Sequence, residues 1–202
     1  MNTRLTKVVL ASRSPQRLAL LRQILPYTEI VVRPTGIEEQ RFHELGPVLR
    51  CKELARAKID MASEHYGKDC ETAVLIAADT EVIVRNIALG KPTCVFEAKA
   101  MLKSLRGGAH EVVTGLSVFD SLSGKSEERV VSTTVYFRNF CDDVLDSYLR
   151  TNEWKGKSGG YALQGFGVVL TSEIHGSYSN VVGLPLEELG EIFTKEFNYE
   201  IW

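Results

Sequence analysis

The sequence predicts an α/β fold, a mixed sheet with flanking helices, and three observations carry that reading. A strand-like run at residues 8–11 leads straight into Ser14-Pro15, a helix-start pair. Residues 73–84 are apolar almost throughout and rich in alanine and β-branched side chains, the composition of a strand covered on both faces. Residues 111–122 and 127–137 flank Ser123-Gly124-Lys125, a turn of hairpin length. Strand–helix units together with an antiparallel hairpin require a mixed sheet.

Taken in order, Leu18, Leu21 and Leu25 recur at helical spacing after the Ser14-Pro15 start, and residues 30–32 form a second strand. Pro47 opens a longer helix with Val48, Cys51, Ala55, Ile59 and Ala62 on one face and Lys58 at its border. In the apolar run of residues 73–84 only Asp79, Thr80 and Glu81 are polar. Residues 96–106 read as a helix stopped by Gly107 and Gly108. Residues 142–149 are a short helix, 156–167 a glycine-rich loop, 168–170 another strand, and Pro185 starts the last helix. No repeat or long linker divides the 202 residues, so residues 1–202 are expected to form one domain or two close lobes.

Composition narrows the function classes. With 44% hydrophobic and 25% charged residues the chain has the make-up of a water-soluble globular protein. Lys and Arg number 24 against 26 Asp and Glu, a formal charge of -2, so no global field attracts a polyanion and stable nucleic-acid binding is not expected. Any phosphate site must be locally basic. Cys51, Cys70, Cys94 and Cys141 are scattered without a C-x-x-C pair, which argues against both a zinc site and a disulfide framework. The apolar stretch after Lys7 is too short for a signal peptide or a membrane span, so the expected compartment is the cytoplasm and no membrane partner is expected. The sequence fixes no oligomeric state and is compatible with a homodimer.

Several familiar patterns fail. Gly156-Lys157-Ser158 has Thr151, and Gly124-Lys125-Ser126 has Phe119, where a phosphate-binding P-loop needs glycine. Gly165-Phe166-Gly167 meets Leu170 where a dinucleotide fingerprint needs glycine. Residues 156–160 match G-x-S-x-G, but a polar Thr-Asn-Glu-Trp segment precedes them instead of a strand, so Ser158 is not read as a nucleophile.

What survives is a set of charged and polar groups. Ser12-Arg13-Ser14-Pro15-Gln16-Arg17 lies where strand meets helix, so free N–H groups face outward for an anion, with the Ser12 hydroxyl and Arg17 guanidinium as added donors. An ordinary capped helix with surface arginines explains the same residues. Asp79 says more, because a carboxylate inside an apolar strand must be paired, bound to metal or put to use. Glu38-Glu39, Lys58 and Lys91 are individually ordinary surface charges, yet two acids and several cations are the parts that triphosphate hydrolysis requires. Tyr161-Ala162-Leu163-Gln164-Gly165-Phe166-Gly167 sets an amide among glycines and aromatics, which suits reading the edge of a base; a glycine-rich turn with a surface glutamine fits equally.

Leu10-Ala11-Ser12-Arg13-Ser14-Pro15-Gln16-Arg17 resembles the opening L-A-S-x-S-P-R-R of the Maf family of nucleotide pyrophosphatases. Gly36-Ile37-Glu38-Glu39, Leu54-Ala55-Arg56-Ala57-Lys58, Ala78-Asp79-Thr80, Gly90-Lys91-Pro92 and Val181-Val182-Gly183-Leu184-Pro185 match further blocks of that family in the same order. The resemblance implies the two-lobed α/β fold of the inosine-triphosphate pyrophosphatases, a cleft between the lobes and a divalent metal, Mg²⁺ or Mn²⁺, held by Glu39 and Asp79. It implies that Ser12 and Arg17 hold phosphate, that Gln16 and Thr80 lie at the substrate, that Asp79 is the catalytic acid/base, and that Lys58 and Lys91 complete the charged site with Glu39. The block around Gln164 resembles members acting on dTTP and UTP, whereas Gln16 stands where those members have arginine and the 7-methyl-GTP type has tryptophan. The implied reaction cuts a nucleoside triphosphate into monophosphate and pyrophosphate, removing it from the pool available to nucleic-acid synthesis. Two alternatives stay open at this point: clearance of 7-methyl-GTP or ITP-type purines, and a non-catalytic nucleotide-binding regulator of cell division.

Overall fold

The computed structural model describes residues 3–65 and 72–201; Cys70 lies outside them. The chain forms two compact units, one built from residues 1–79, 114–131 and 183–202, the other from 80–113 and 132–182. The main sheet runs β3-β2-β4-β6-β7-β8, with β5 pairing off β4. Three of its strands, β4 (Val74–Val84), β6 (Ala109–Asp120) and β7 (Lys125–Phe137), carry residues of both units.

In the first unit β2 (Lys7–Leu10) pairs in parallel with β3 (Glu29–Val32) and with β4, Leu10 facing Val32 on one side and Ile76 on the other. The helix that crosses from β2 to β3, α1 (Pro15–Ile24), begins as the sequence predicts: Ser14 is its N-cap, accepting from Arg17 N–H, and Pro15 holds the first helical position. α2 (Pro47–His65) lays Ile59 and Ala62 on Val9, Ala73, Leu75 and Ala77, and the small alanines of β4 let the helix lie close to the sheet. Burial of each larger aliphatic side chain there contributes about 1.5–3 kcal/mol. A short parallel pair, β1 (Thr3–Arg4) with β9 (Tyr199–Glu200), and a terminal helix complete the unit. Pro185 caps that helix, α6 (Leu186–Glu191), which continues as a π-helical turn over Ile192–Glu196.

In the second unit β5 (Ile87–Leu89) folds back antiparallel on β4 through Arg85 and Asn86, both at positive φ, and β8 (Thr171–His175) pairs antiparallel with β7. α3 (Val95–Leu105) and α4 (Asp142–Arg150) pack Ala98, Leu102, Leu145 and Tyr148 into a core with Val82, Phe137, Trp154 and Leu163. Gly107 ends α3 at φ 66°, the left-handed stop read from the sequence, and α5 (Tyr178–Val182) is the remaining helix of this unit. Among the described residues no helix is long and apolar enough to cross a membrane.

Two local expectations are corrected. Residues 168–170 are not a strand but the end of a 3₁₀ helix, Phe166–Leu170, and the strand begins at Thr171. Of the three, only Leu170 is buried, and a short helical turn points that one side chain inward where a strand would not. Gly167 keeps the turn tight, because a Cβ there would sit 2.5 Å from the Ala162 carbonyl oxygen. Val48 is exposed, so the buried stripe of α2 begins a turn later, at Cys51, and takes in Leu54.

Candidate active site

The turn between β2 and α1 is organised by side chains. Ser12 Oγ accepts from Ser14 N–H at 3.1 Å and from Arg17 Nη1 at 3.3 Å, while Arg17 Nε donates to the Gly183 carbonyl at 2.7 Å. The guanidinium is thus aimed by a serine from its own turn and by a carbonyl 166 residues away. Burial draws its pKa down, and the neighbouring Asp79, Cys51 and Glu39 push it back up; a guanidinium stays protonated through such an exchange. Gln16, half-buried, bends back over the helix start, its amide oxygen accepting from the Ser14 hydroxyl at 3.2 Å.

Lys58 on α2 reaches Asp79 on β4, Nζ to Oδ1 at 2.6 Å, with the two side chains only 12% and 14% exposed. So little water screens this pair that removing either partner would leave a costly charge behind. Glu39, in a 3₁₀ turn at Glu39–Phe42, brings Oε1 to 4.0 Å from the same ammonium and is 51% exposed. Ser12, Arg17, Glu39, Lys58 and Asp79 therefore meet in the first unit, drawn from four separate stretches of chain.

The sequence reading passed over two neighbours. Cys51, seen only as part of the buried face of α2, brings its thiol within 4.8 Å of the Asp79 carboxylate. Glu81 lies two residues beyond Asp79 on β4 and so on the same face, its carboxylate oxygen also within 4.8 Å of that of Asp79. The period-two spacing of two acids was the available signal for Glu81. Thr80, by the same alternation, faces the other side of the strand.

In the second unit Lys91 is exposed in the β5–α3 connection and Gln164 is exposed in the 161–167 loop. The G-x-S-x-G serine is structural. Ser158 Oγ donates to the Leu89 carbonyl at 2.5 Å and accepts from Val82 N–H at 3.1 Å, and Gly159 N–H reaches the Gly90 carbonyl beside Lys91. Tyr161 is committed to the core: its hydroxyl meets His110 Nε2 at 2.8 Å, and burial holds that imidazole near pKa 4 and neutral at physiological pH.

The mixed α/β sheet thus sets hydroxyl and guanidinium donors at its β2–α1 turn, in the same unit as a shielded Lys–Asp pair. The chain belongs to the Maf family, described as Maf-like protein, which matches residues 7–196. A dTTP/UTP pyrophosphatase of Pyrococcus furiosus is 41% identical to it over 182 residues, covering 89% of this chain and 90% of that protein. A dTTP/UTP pyrophosphatase of Chelativorans is 40% identical over 186 residues, covering 91% of this chain and 88% of that one. Among solved structures, a HAM1 protein from Coxiella burnetii aligns at 17% identity and a TM-score of 0.45, covering 67% of this chain and 75% of that one.

Proposed function

We propose that this chain is a nucleotide pyrophosphatase that hydrolyses dTTP and UTP between the α and β phosphates, giving the nucleoside monophosphate and pyrophosphate. The observation that carries the reading is the shielded Lys58–Asp79 pair beside Arg17 and Ser12, in a chain of this family. A binder without turnover has no use for a carboxylate held beside a phosphate site, where it repels the ligand, so the regulator reading loses ground.

The donor set fits a divalent cation. Asp79 and Glu39, the ligands proposed here, carry the hard carboxylate oxygens that Mg²⁺ or Mn²⁺ takes, and Glu81 brings a further carboxylate oxygen within 4.8 Å of Asp79. When bound, that ion would neutralise phosphate oxygens and acidify a coordinated water. Ser12 and Arg17 hold the phosphates at the start of α1, and Lys58 fixes Asp79 through Oδ1 so that Oδ2 takes the proton of the attacking water. The water oxygen then bonds to the α-phosphorus, the α–β bridging bond breaks, and pyrophosphate leaves with its charge met by Arg17.

Arg17→Ala is expected to raise KM for the triphosphate about tenfold and to weaken pyrophosphate as a product inhibitor, since it removes a charge-assisted clamp. Equal weakening of a nucleoside that carries no phosphate would contradict the assignment.

Base preference rests on Gln164, whose amide offers one donor and one acceptor side by side, matching the O4 and N3–H edge of uracil or thymine, and on the loop that keeps this amide from flipping to the reversed pattern of cytosine. Pyrophosphate release from dTTP, UTP, CTP, 7-methyl-GTP and ITP, with Mg²⁺ and with Mn²⁺, tests the whole proposal. The expected result is kcat/KM about tenfold or more higher for dTTP and UTP than for CTP, because a mispaired amide covered by the base costs on the order of 1–3 kcal/mol. Gln164→Glu should erode that ratio by removing the donor. A preference for 7-methyl-GTP or ITP would overturn the pyrimidine assignment and leave the reaction standing; release from none of the five would overturn the reaction.

A further inference from the structure

The loop that carries Gln164 contains Gly165 and Gly167, so its shape must be imposed from outside. Part of the imposition is ordinary core packing. Gly165 N–H closes a turn onto the Ala162 carbonyl at 3.1 Å, with Leu163 and Gln164 as its central residues; Leu163 is buried and Gln164 is exposed. Ala162 N–H donates to the Tyr148 hydroxyl at 3.1 Å, which fixes the entry of the turn.

The exit is held differently. Phe166 N–H donates to Glu153 Oε2 at 2.7 Å, a charge-assisted bond from a backbone amide to a carboxylate. A Cβ on Gly165 would meet that carboxylate at 2.3–2.5 Å, so glycine after Gln164 leaves the room in which the Glu153 carboxylate lies against the loop. The backbone that carries Glu153 is itself fixed. Glu153 follows Asn152, which sits at φ 62°, its N–H reaches Thr151 Oγ1 at 3.2 Å, and the next residue, Trp154, is buried with its indole N–H on the Leu149 carbonyl at 3.1 Å.

We infer that Glu153 is a positioning residue for substrate selection: its carboxylate holds the exit of the 162–165 turn and so sets the direction in which Gln164 is presented. The inference rests on the reading that Gln164 contacts the base. As a residue that acts through the loop, Glu153 when removed should change KM and the choice of base and leave the chemical step alone.

Two measurements on the full chain test this, with Glu153→Ala, Glu153→Gln and Gln164→Ala. Amide hydrogen exchange reads the loop without any turnover. In Glu153→Ala the segment 162–168 is expected to exchange about tenfold faster, and in Glu153→Gln, whose amide oxygen accepts the same bond, within about threefold of the wild type. Kinetics read the consequence. In Glu153→Ala the dTTP-to-CTP ratio of kcat/KM is expected to fall about fivefold and KM for dTTP to rise, with kcat within about twofold of wild type, and Glu153→Gln should restore both.

Wild-type exchange in Glu153→Ala overturns the inference. So does a loss of kcat at unchanged KM, which would move Glu153 into the chemistry, and so does a loosened loop with unaltered base choice while Gln164→Ala does alter it. If Gln164→Ala leaves base choice unchanged, the reading of Gln164 falls on its own, and hydrogen exchange still decides whether Glu153 holds the loop.

Discussion

Asp79→Asn is expected to lower kcat by about two orders of magnitude or more while leaving the protein folded and able to bind nucleotide. The amide has the size of the carboxylate and its oxygen can still accept from Lys58, so β4 and α2 lose no volume and the hydrogen bond now made at 2.6 Å keeps an acceptor. What the substitution removes is the negative charge and the capacity to take a proton, the two properties that metal binding and water activation need. Lys58 is left as a shielded ammonium with Glu39 at 4.0 Å as its remaining acid, a cost that should appear as a modest fall in Tm. Stopped-time assays of pyrophosphate release, with nucleotide affinity measured separately by calorimetry, check the separation. Turnover within threefold of wild type in a purified, folded variant would remove Asp79 from the catalytic role.

How far the sequence revealed this site depends on the range of each interaction. The Ser14 cap, the Gly107 stop and the Gly124 turn act within a few residues of themselves, so local chemistry announced them and the elements stand where it placed them. Asp79 stood out because an apolar strand makes a lone charge conspicuous. Arg17 was legible as a residue but its aim was not, since the Gly183 carbonyl that orients it lies at the far end of the chain. Sequence distance likewise hid the structural use of Ser158, whose partners at Val82 and Leu89 lie 76 and 69 residues away, although the missing strand before it already ruled out a nucleophile. Residues 168–170 misled for the opposite reason. A three-residue apolar run carries no period, and the glycine that keeps the 3₁₀ turn tight, Gly167, acts through its closeness to the carbonyl of Ala162.

Gly115→Ala is the second substitution with a large expected effect, and here the damage begins in the scaffold and ends at the site. Gly115 lies inside β6, in a run otherwise made of valine, threonine and leucine, where a glycine weakens the strand and marks a close backbone approach. The approach is that of α2: a Cβ on Gly115 would stand 2.3 Å from the Cys51 carbonyl oxygen and 2.6 Å from Lys52 N. Neither atom belongs to a flexible side chain, so the helix as a whole must retreat from the sheet. Forced overpacking of this kind costs about 1–3 kcal/mol and more where backbone meets backbone. For a chain of this length the fall in Tm should be about 5–10 °C. Because Lys58 lies two turns further along the same helix, its ammonium would be carried off Asp79, and a misplacement of about 1 Å is enough to lower kcat/KM by up to about a hundredfold. Thermal denaturation followed beside dTTP turnover reads both effects. A variant with wild-type Tm would show that α2 does not press on β6, and one that is destabilised yet fully active at low temperature would show that the helix recovers its place on the sheet and that Lys58 does not depend on Gly115 for its aim.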